Sequence, residues 1–241
     1  GFRQRVIQLG EDPERVFNTG ELALADLDQT AFISKKELEK ELKHRLDNFF
    51  LITLHPETCN HGSVREGMLR LLHVLLKEYP DIRLVFTGAN ADPEGGEIND
   101  YLTEAAKNKP EVVSFHRNLG RLRYLSVARL ARCVIGNSSS GIIELPSLNI
   151  PVLNLGSRQS GRPCSKAVVT ATFAEASIRK ALKKLLAPGW REKCGQLPNP
   201  YEGRDAARNI AGIIADYDLS SISSEKQFYD LPQRMKRIQG K

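Results

Sequence analysis

Residues 133–156 read CVIGNSSSGIIELPSLNIPVLNLG, and the order of residue types along this stretch decides the fold. An apolar run through Val134 and Ile135 breaks at Gly136-Asn137, gives way to Ser138, Ser139, Ser140 and Gly141, and resumes in a short helical segment carrying Glu144. Small residues at the carboxyl end of a strand, opening into a helix, aim backbone N–H groups and the positive helix end at one point, and serine hydroxyls add donors. Such a turn suits an anion, a phosphate above all. About one helical turn further on, the carboxylate of Glu144 offers paired acceptors for a vicinal diol such as a ribose. A phosphate and a diol together imply a nucleotide. The competing reading makes Ser138 a simple helix cap and leaves Glu144 facing solvent.

Outward from this stretch, strand-length apolar runs alternate with segments of helical period. Strands are predicted over 15–19, 48–54, 82–87, 112–115, 133–136, 151–155 and 167–170. Between them, Ser34-Lys35-Lys36-Glu37 is a capping box, and Leu38, Leu42 and Leu46 mark the apolar face of a helix ending before Asp47. Met68, Leu71, Leu72, Leu75 and Leu76 mark a second helix, closed by Tyr79-Pro80, and further helices are predicted over 97–107, 122–131, 174–186 and 204–217. Alternation with connections this short implies a Rossmann-like parallel sheet covered by helices on both faces, with ligands at the strand carboxyl ends. Residues 1–10 read as the end of a helix belonging to something upstream. The tail from Asp218 is polar, serine-rich and basic: either a strap anchored by Phe228 and Tyr229 or partly disordered.

With 241 residues, 41% of them apolar, the chain can bury a substantial core. No apolar run approaches the roughly 20 residues of a membrane span, and the start has no signal-peptide pattern, so a cytoplasmic protein with no membrane partner is expected. Cys59, Cys133, Cys164 and Cys194 are widely spread, without a C-x-x-C pair or a histidine at metal spacing, which argues against disulfides and structural zinc. Asp92, Glu94 and Glu97 fit an acidic loop and a helix start, and no metal is expected. His44, His73 and His116 read as ordinary helix or strand-end residues and His61 as a loop residue. A net charge of +6, a pI near 9.2 and the clustered Arg117, Arg121, Arg123, Arg129 and Arg132 raise a nucleic-acid reading. Against it stand the 7% aromatic content and the lack of RNP or helix-turn-helix patterns, and a solvated helix face accounts for most of these arginines.

The blocks GNSSSGIIELPSLNIPVLNLGSRQSGR, FFLITLHPET, VFTGANADPEGGEINDYL, LGRLRYLSVA, NPYEGRDAARNI and KQFYDL mark a resemblance that extends over residues 5–231. In their order and content the chain resembles the carboxyl-terminal half of the UDP-N-acetylglucosamine 2-epimerase family, specifically its hydrolysing branch. The non-hydrolysing branch has a serine-diglycine and two adjacent acids where this sequence has Ser138-Ser139-Ser140-Gly141 and the single Glu144.

The resemblance implies one half of a GT-B architecture, in which two Rossmann-like domains face each other across a cleft. It divides the chain into an interdomain remnant (1–20), a UDP-binding domain (21–217) and a tail (218–241). It implies that Ser138 and Ser139 hold a diphosphate, that Ser140 and Gly141 belong to the same UDP site, and that Glu144 takes the ribose hydroxyls and Tyr124 the neighbourhood of the uracil. His55 matches a histidine that assists catalysis, and Arg158 and Arg162 lie in the next loop, within reach of diphosphate or sugar. The partners implied are a UDP-sugar substrate, a second copy of the chain and an amino-terminal domain that supplies the remaining acid and base groups; no cofactor is expected. Without that domain, weak UDP affinity and negligible epimerisation are expected. Other readings stay open: an epimerase of a UDP-diacetamido-trideoxy sugar, half of a GT-B glycosyltransferase, or a basic non-enzymatic binding module.

Overall fold

The computed structural model describes residues 1–57, 63–90, 95–203, 205–218, 220, 225 and 227–231. Cys59, His61, Asp92, Glu94, Arg204 and most of the tail beyond Asp218 lie outside the described residues. The chain forms two compact units, residues 26–202 and residues 1–25 together with 203–241.

The larger unit carries six strands: β1 (Phe49–Thr53), β2 (Arg83–Thr87), β3 (Val113–His116), β4 (Cys133–Gly136), β5 (Val152–Leu155) and β6 (Val168–Ala171). All pair in parallel in the order β3-β2-β1-β4-β5-β6. This is the Rossmann order, in which the direction of winding reverses between β1 and β4. Every residue of β1 is buried, as a central parallel strand covered on both faces requires. Phe50 and Ile52 join a core with Met68, Leu71 and Leu75 of α3 (Ser63–Glu78), Ile98 and Leu102 of α4 (Gly95–Asn108), and Ile178 and Leu182 of α7 (Glu175–Leu185). On the opposite face α2 (Lys35–Leu42) packs on α5 (Gly120–Leu130), and α6 (Ser140–Ile143) packs on β4 and β5. Each fully buried Leu or Phe here contributes about 1.5–3 kcal/mol.

The capping box forms as expected: Glu37 N–H donates to Ser34 Oγ at 3.3 Å, and Ser34 N–H donates to Glu37 Oε2 at 3.2 Å. The helix nevertheless stops at Leu42, because Lys43 turns left-handed (φ 52°), and Leu46 is buried from the following loop. A short helix not anticipated, α8 (Trp190–Cys194), follows α7.

The smaller unit holds α1 (Phe2–Gln8) and α9 (Ala206–Asp216). Residues 15–19 are not the strand their composition predicts. Asp12 caps a 3-10 turn at Pro13–Arg15, and Arg3 takes the carbonyl of Pro13 in that turn (2.5 Å) and that of Val16 (2.7 Å), which a strand would offer to a neighbour. Part of the tail docks within this unit: Tyr229 N–H donates to the Gly10 carbonyl at 2.9 Å, with the Phe228 ring against Gly10.

Candidate active site

The reversal of winding between β1 and β4 leaves a crevice at their carboxyl ends, where open α/β sheets bind ligands. Thr53 of β1 pairs with Gly136 of β4, so His55 and Ser138, each two residues further on, emerge side by side. Gly136 has φ +151°, and a Cβ there would lie 1.8 Å from the Thr53 carbonyl oxygen, so this position admits only glycine. The next residue, Asn137, is fully buried and binds the His55 backbone at both ends: its Oδ1 accepts from His55 N–H and its Nδ2 donates to the His55 carbonyl, each at 2.8 Å. The His55 ring accepts at Nδ1 from the Asn90 backbone N–H at 3.1 Å. The neutral imidazole therefore carries its proton on Nε2.

Beyond Asn137 the serine turn does not spend its donors on the protein. Among the described residues the backbone N–H groups of Ser138, Ser139 and Ser140 have no partner, and the N-cap of α6 is Ser139, whose side chain makes no capping bond. The helix is only four residues long and runs on as a 3-10 turn, Leu145–Leu148. A macrodipole so short adds little, and the anion-binding potential of the turn lies in individual N–H and hydroxyl groups. Glu144 ends α6, its side chain 14% exposed, with Oε1 accepting from Arg121 Nε at 3.2 Å. Asn199 holds the segment from behind by donating to the Ile143 carbonyl at 2.7 Å.

Tyr124, on α5, reaches the underside of the same turn. Its ring is half-buried, and its hydroxyl lies beside Ser140 and Thr53 but at hydrogen-bond geometry to neither. Burial pushes the phenol pKa up to about 12, so it stays neutral. Tyr124, Thr53, Ser138 and Asn154 line a cavity of about 10 Å³, enough for roughly one water.

The loop after β5 brings a cation to the turn. Glu57, 9% exposed, accepts from Ser157 N–H and Ser157 Oγ, both at 2.9 Å, and from Arg158 N–H at 3.2 Å. So fixed, the loop lets Arg158 donate to the Asn137 carbonyl at 3.3 Å and Gln159 at 2.7 Å. Gly156 (φ +76°) lies close under Glu57, where a Cβ would approach Oε1 to 2.2 Å. Arg162 follows in a turn, its N–H donating to the Gln159 carbonyl at 3.2 Å, with its exposed side chain making no polar contact among the described residues. The structure thus gathers His55, Tyr124, the serine turn, Glu144 and Arg158 at one edge, with Arg162 at its margin.

Two buried groups that hold this edge, Asn137 and Glu57, escape the sequence reading. Each carries a faint signal: a polar residue directly after an apolar strand, and an acid two positions after the strand-end histidine. Four of the clustered arginines are engaged within the protein: Arg121 with Asp26 and Glu144, Arg123 with Glu41, Arg129 over the Phe32 ring, and Arg132 with Asn48. Among the described residues no group of three His, Cys, Asp or Glu is placed to hold a metal ion, and no helix is long and apolar enough to cross a membrane. The described cysteines Cys133, Cys164 and Cys194 are free thiols.

The sequence model of the UDP-N-acetylglucosamine 2-epimerase family matches residues 1–215. The chain is 37% identical over 185 residues to the hydrolysing GDP/UDP-N,N'-diacetylbacillosamine 2-epimerase of Campylobacter jejuni, a match covering 76% of this chain and 47% of that protein. It is 32% identical over 235 residues to the polysialic acid biosynthesis protein P7 of Escherichia coli, covering 96% of this chain and 59% of that one. Its fold superposes with a TM-score of 0.67 on a Neisseria meningitidis UDP-GlcNAc 2-epimerase solved with UDP-GlcNAc, at 20% identity, over 89% of this chain and 59% of the other. The sheet is thus the Rossmann-like half expected of a GT-B architecture, and the chain spans about half the length of the relatives it matches.

Proposed function

Since the chain belongs to the UDP-N-acetylglucosamine 2-epimerase family, we propose that it is the UDP-binding half of a hydrolysing UDP-sugar 2-epimerase. The reaction converts UDP-GlcNAc and water to N-acetylmannosamine and UDP. A base removes the proton from sugar carbon 2 as the bond from carbon 1 to UDP breaks, leaving a glycal; water then returns a proton to the opposite face of carbon 2 and a hydroxyl to carbon 1.

The observation that carries this reading is the convergence, at the β1/β4 crevice, of the uncommitted N–H groups of Ser138, Ser139 and Ser140 with His55 and Arg158. In it the diphosphate lies over the serine turn, with Gly141 keeping the backbone close and the Arg158 guanidinium beside it; Arg162 adds a second cation. The Nε2–H of His55 donates to a phosphate oxygen and eases departure of UDP, which is electrostatic help at the developing charge. Glu144 takes the ribose hydroxyls, and Tyr124 supports the turn on the nucleoside side. An amino-terminal domain facing this edge supplies the acid and base at carbon 2, and the 241 residues alone bind UDP with little turnover.

A second reading is favoured by the Campylobacter relative, whose named substrate is a nucleotide-linked N,N'-diacetylbacillosamine: the same half-site serves a 2,4-diacetamido sugar, because the groups described here address the nucleotide. The test is calorimetric titration with UDP, UDP-GlcNAc and ADP. Uridine-selective heat that falls at least about tenfold in affinity on Ser138→Ala is expected. Equal binding of ADP, or affinity unmoved by both Ser138→Ala and Glu144→Ala, overturns the reading; binding that instead collapses steeply with salt marks a polyanion module.

A further inference from the structure

Resting on the assignment of Glu144 to the ribose, we infer that Arg121 is the positioning residue that aims this carboxylate and thereby sets selectivity for the ribose hydroxyls. Arg121 stands in the first turn of α5 and bridges two acids: its Nε donates to Glu144 Oε1 at 3.2 Å, and a terminal nitrogen donates to Asp26 Oδ1 at 3.2 Å. The two acids differ in surroundings. The Glu144 side chain is 14% exposed and that of Asp26 is 68% exposed. An exposed pair such as Arg121–Asp26 contributes little to stability, but it engages the second edge of a rigid planar guanidinium and so favours the orientation that keeps the first edge on Glu144.

The Glu144 backbone is fixed as well: its N–H donates to the Ser140 carbonyl at 3.0 Å, and Asn199 holds the carbonyl just before it. Main chain and one carboxylate oxygen are thus both pinned, and Arg121 is the one polar partner of that carboxylate among the described residues. A diol meeting a pre-aimed carboxylate loses less rotamer entropy on binding than one that must order a free side chain. The gain belongs to the hydroxyl contacts and not to the phosphates, which separates positioning from simple attraction of an anion.

The experiment compares UDP with 2′-deoxy-UDP on the full chain by calorimetry, because the ratio of the two affinities cancels any electrostatic effect on the diphosphate. The parent chain is expected to prefer UDP by about tenfold, the worth of one hydrogen bond to a charged group. Arg121→Gln is expected to shrink that preference to about twofold, and Arg121→Lys, which keeps the charge but not the fork, to leave it in between. Asp26→Asn serves as a second variant that touches neither Glu144 nor a buried group, and it is expected to narrow the preference as well. If Arg121→Gln keeps the full preference while Glu144→Gln abolishes it, the positioning role falls and the ribose assignment stands. If Arg121→Gln weakens both nucleotides equally, Arg121 acts on the phosphates and the inference is overturned. A preference that survives Glu144→Gln removes the ribose assignment itself, and this inference with it.

Discussion

The side-chain amide of Asn137 closes onto both backbone groups of His55, accepting from its N–H and donating to its carbonyl at 2.8 Å each, across 82 residues of sequence. These two bonds splice the ends of β1 and β4 into one unit. Asn137→Ala removes both bonds to these part-buried backbone groups and is expected to cost about 1–3 kcal/mol, read from urea denaturation. Asn137→Asp keeps the acceptor but buries a charge, so its loss should be pH-dependent; an Ala variant as stable as the parent chain would remove the argument.

Glu57 is expected to act on the loop that carries Arg158. Glu57→Gln retains the shape but turns an amide N–H₂ toward the donors of Ser157 and Arg158. The predicted cost is about 1–3 kcal/mol in stability, with a several-fold loss in UDP affinity from the loosened cation. The second effect is the informative one: unchanged affinity in a destabilised variant would show that the loop position does not matter for binding.

Two glycine substitutions should move stability in opposite directions. Gly136→Ala meets the Thr53 carbonyl and requires φ +151°, and is expected to cost about 3 kcal/mol or more. Gly96→Ala, within α4 and with nothing inside 4 Å of the added Cβ, is expected to stabilise by about 0.5–1 kcal/mol through helix propensity. Denaturant midpoints of the two proteins, measured side by side, check both signs.

Mild acid is expected to weaken the fold through two histidines. His44 and His116 each bury Nε2 without a partner among the described residues. Burial lowers both pKa values from 6.5, helped at His44 by Arg83 and at His116 by His44. A base with a lowered folded pKa takes its proton first in the unfolded chain. Stability is therefore full above 6.5 and falls as pH drops from there toward the lowered folded values. Urea midpoints between about pH 7.5 and pH 5.5 should decline, and a His44→Gln, His116→Gln double variant should flatten the curve. A slope equally steep in the double variant would assign the loss to other groups.

The six strands of the sheet were legible because each is a short apolar run bounded by turn residues, and period-2 or continuous apolar patterns report local burial directly. The segment at 15–19 shows the limit of that signal: its composition favours a strand, yet a 3-10 turn runs into it and the Arg3 guanidinium occupies the Val16 carbonyl that pairing would need. Arg121 shows the same limit at the site. Among clustered basic residues it reads as a solvated helix face, and its partners Asp26 and Glu144 lie 95 and 23 residues away.

Composition and short-range pattern were enough to specify an alternating α/β chain with a glycine-serine turn at a strand end, because helix faces, strand runs and anion-binding turns are built from neighbours in sequence. The order of the strands was a matter of long-range folding, and that order set Gly136 beside Thr53, Asn137 against His55 and Glu57 beneath Ser157. Such pairings depend on which loops the sheet brings to a common edge. Their energy is gained only once distant segments have paid the entropy of closure, so no local pattern encodes them.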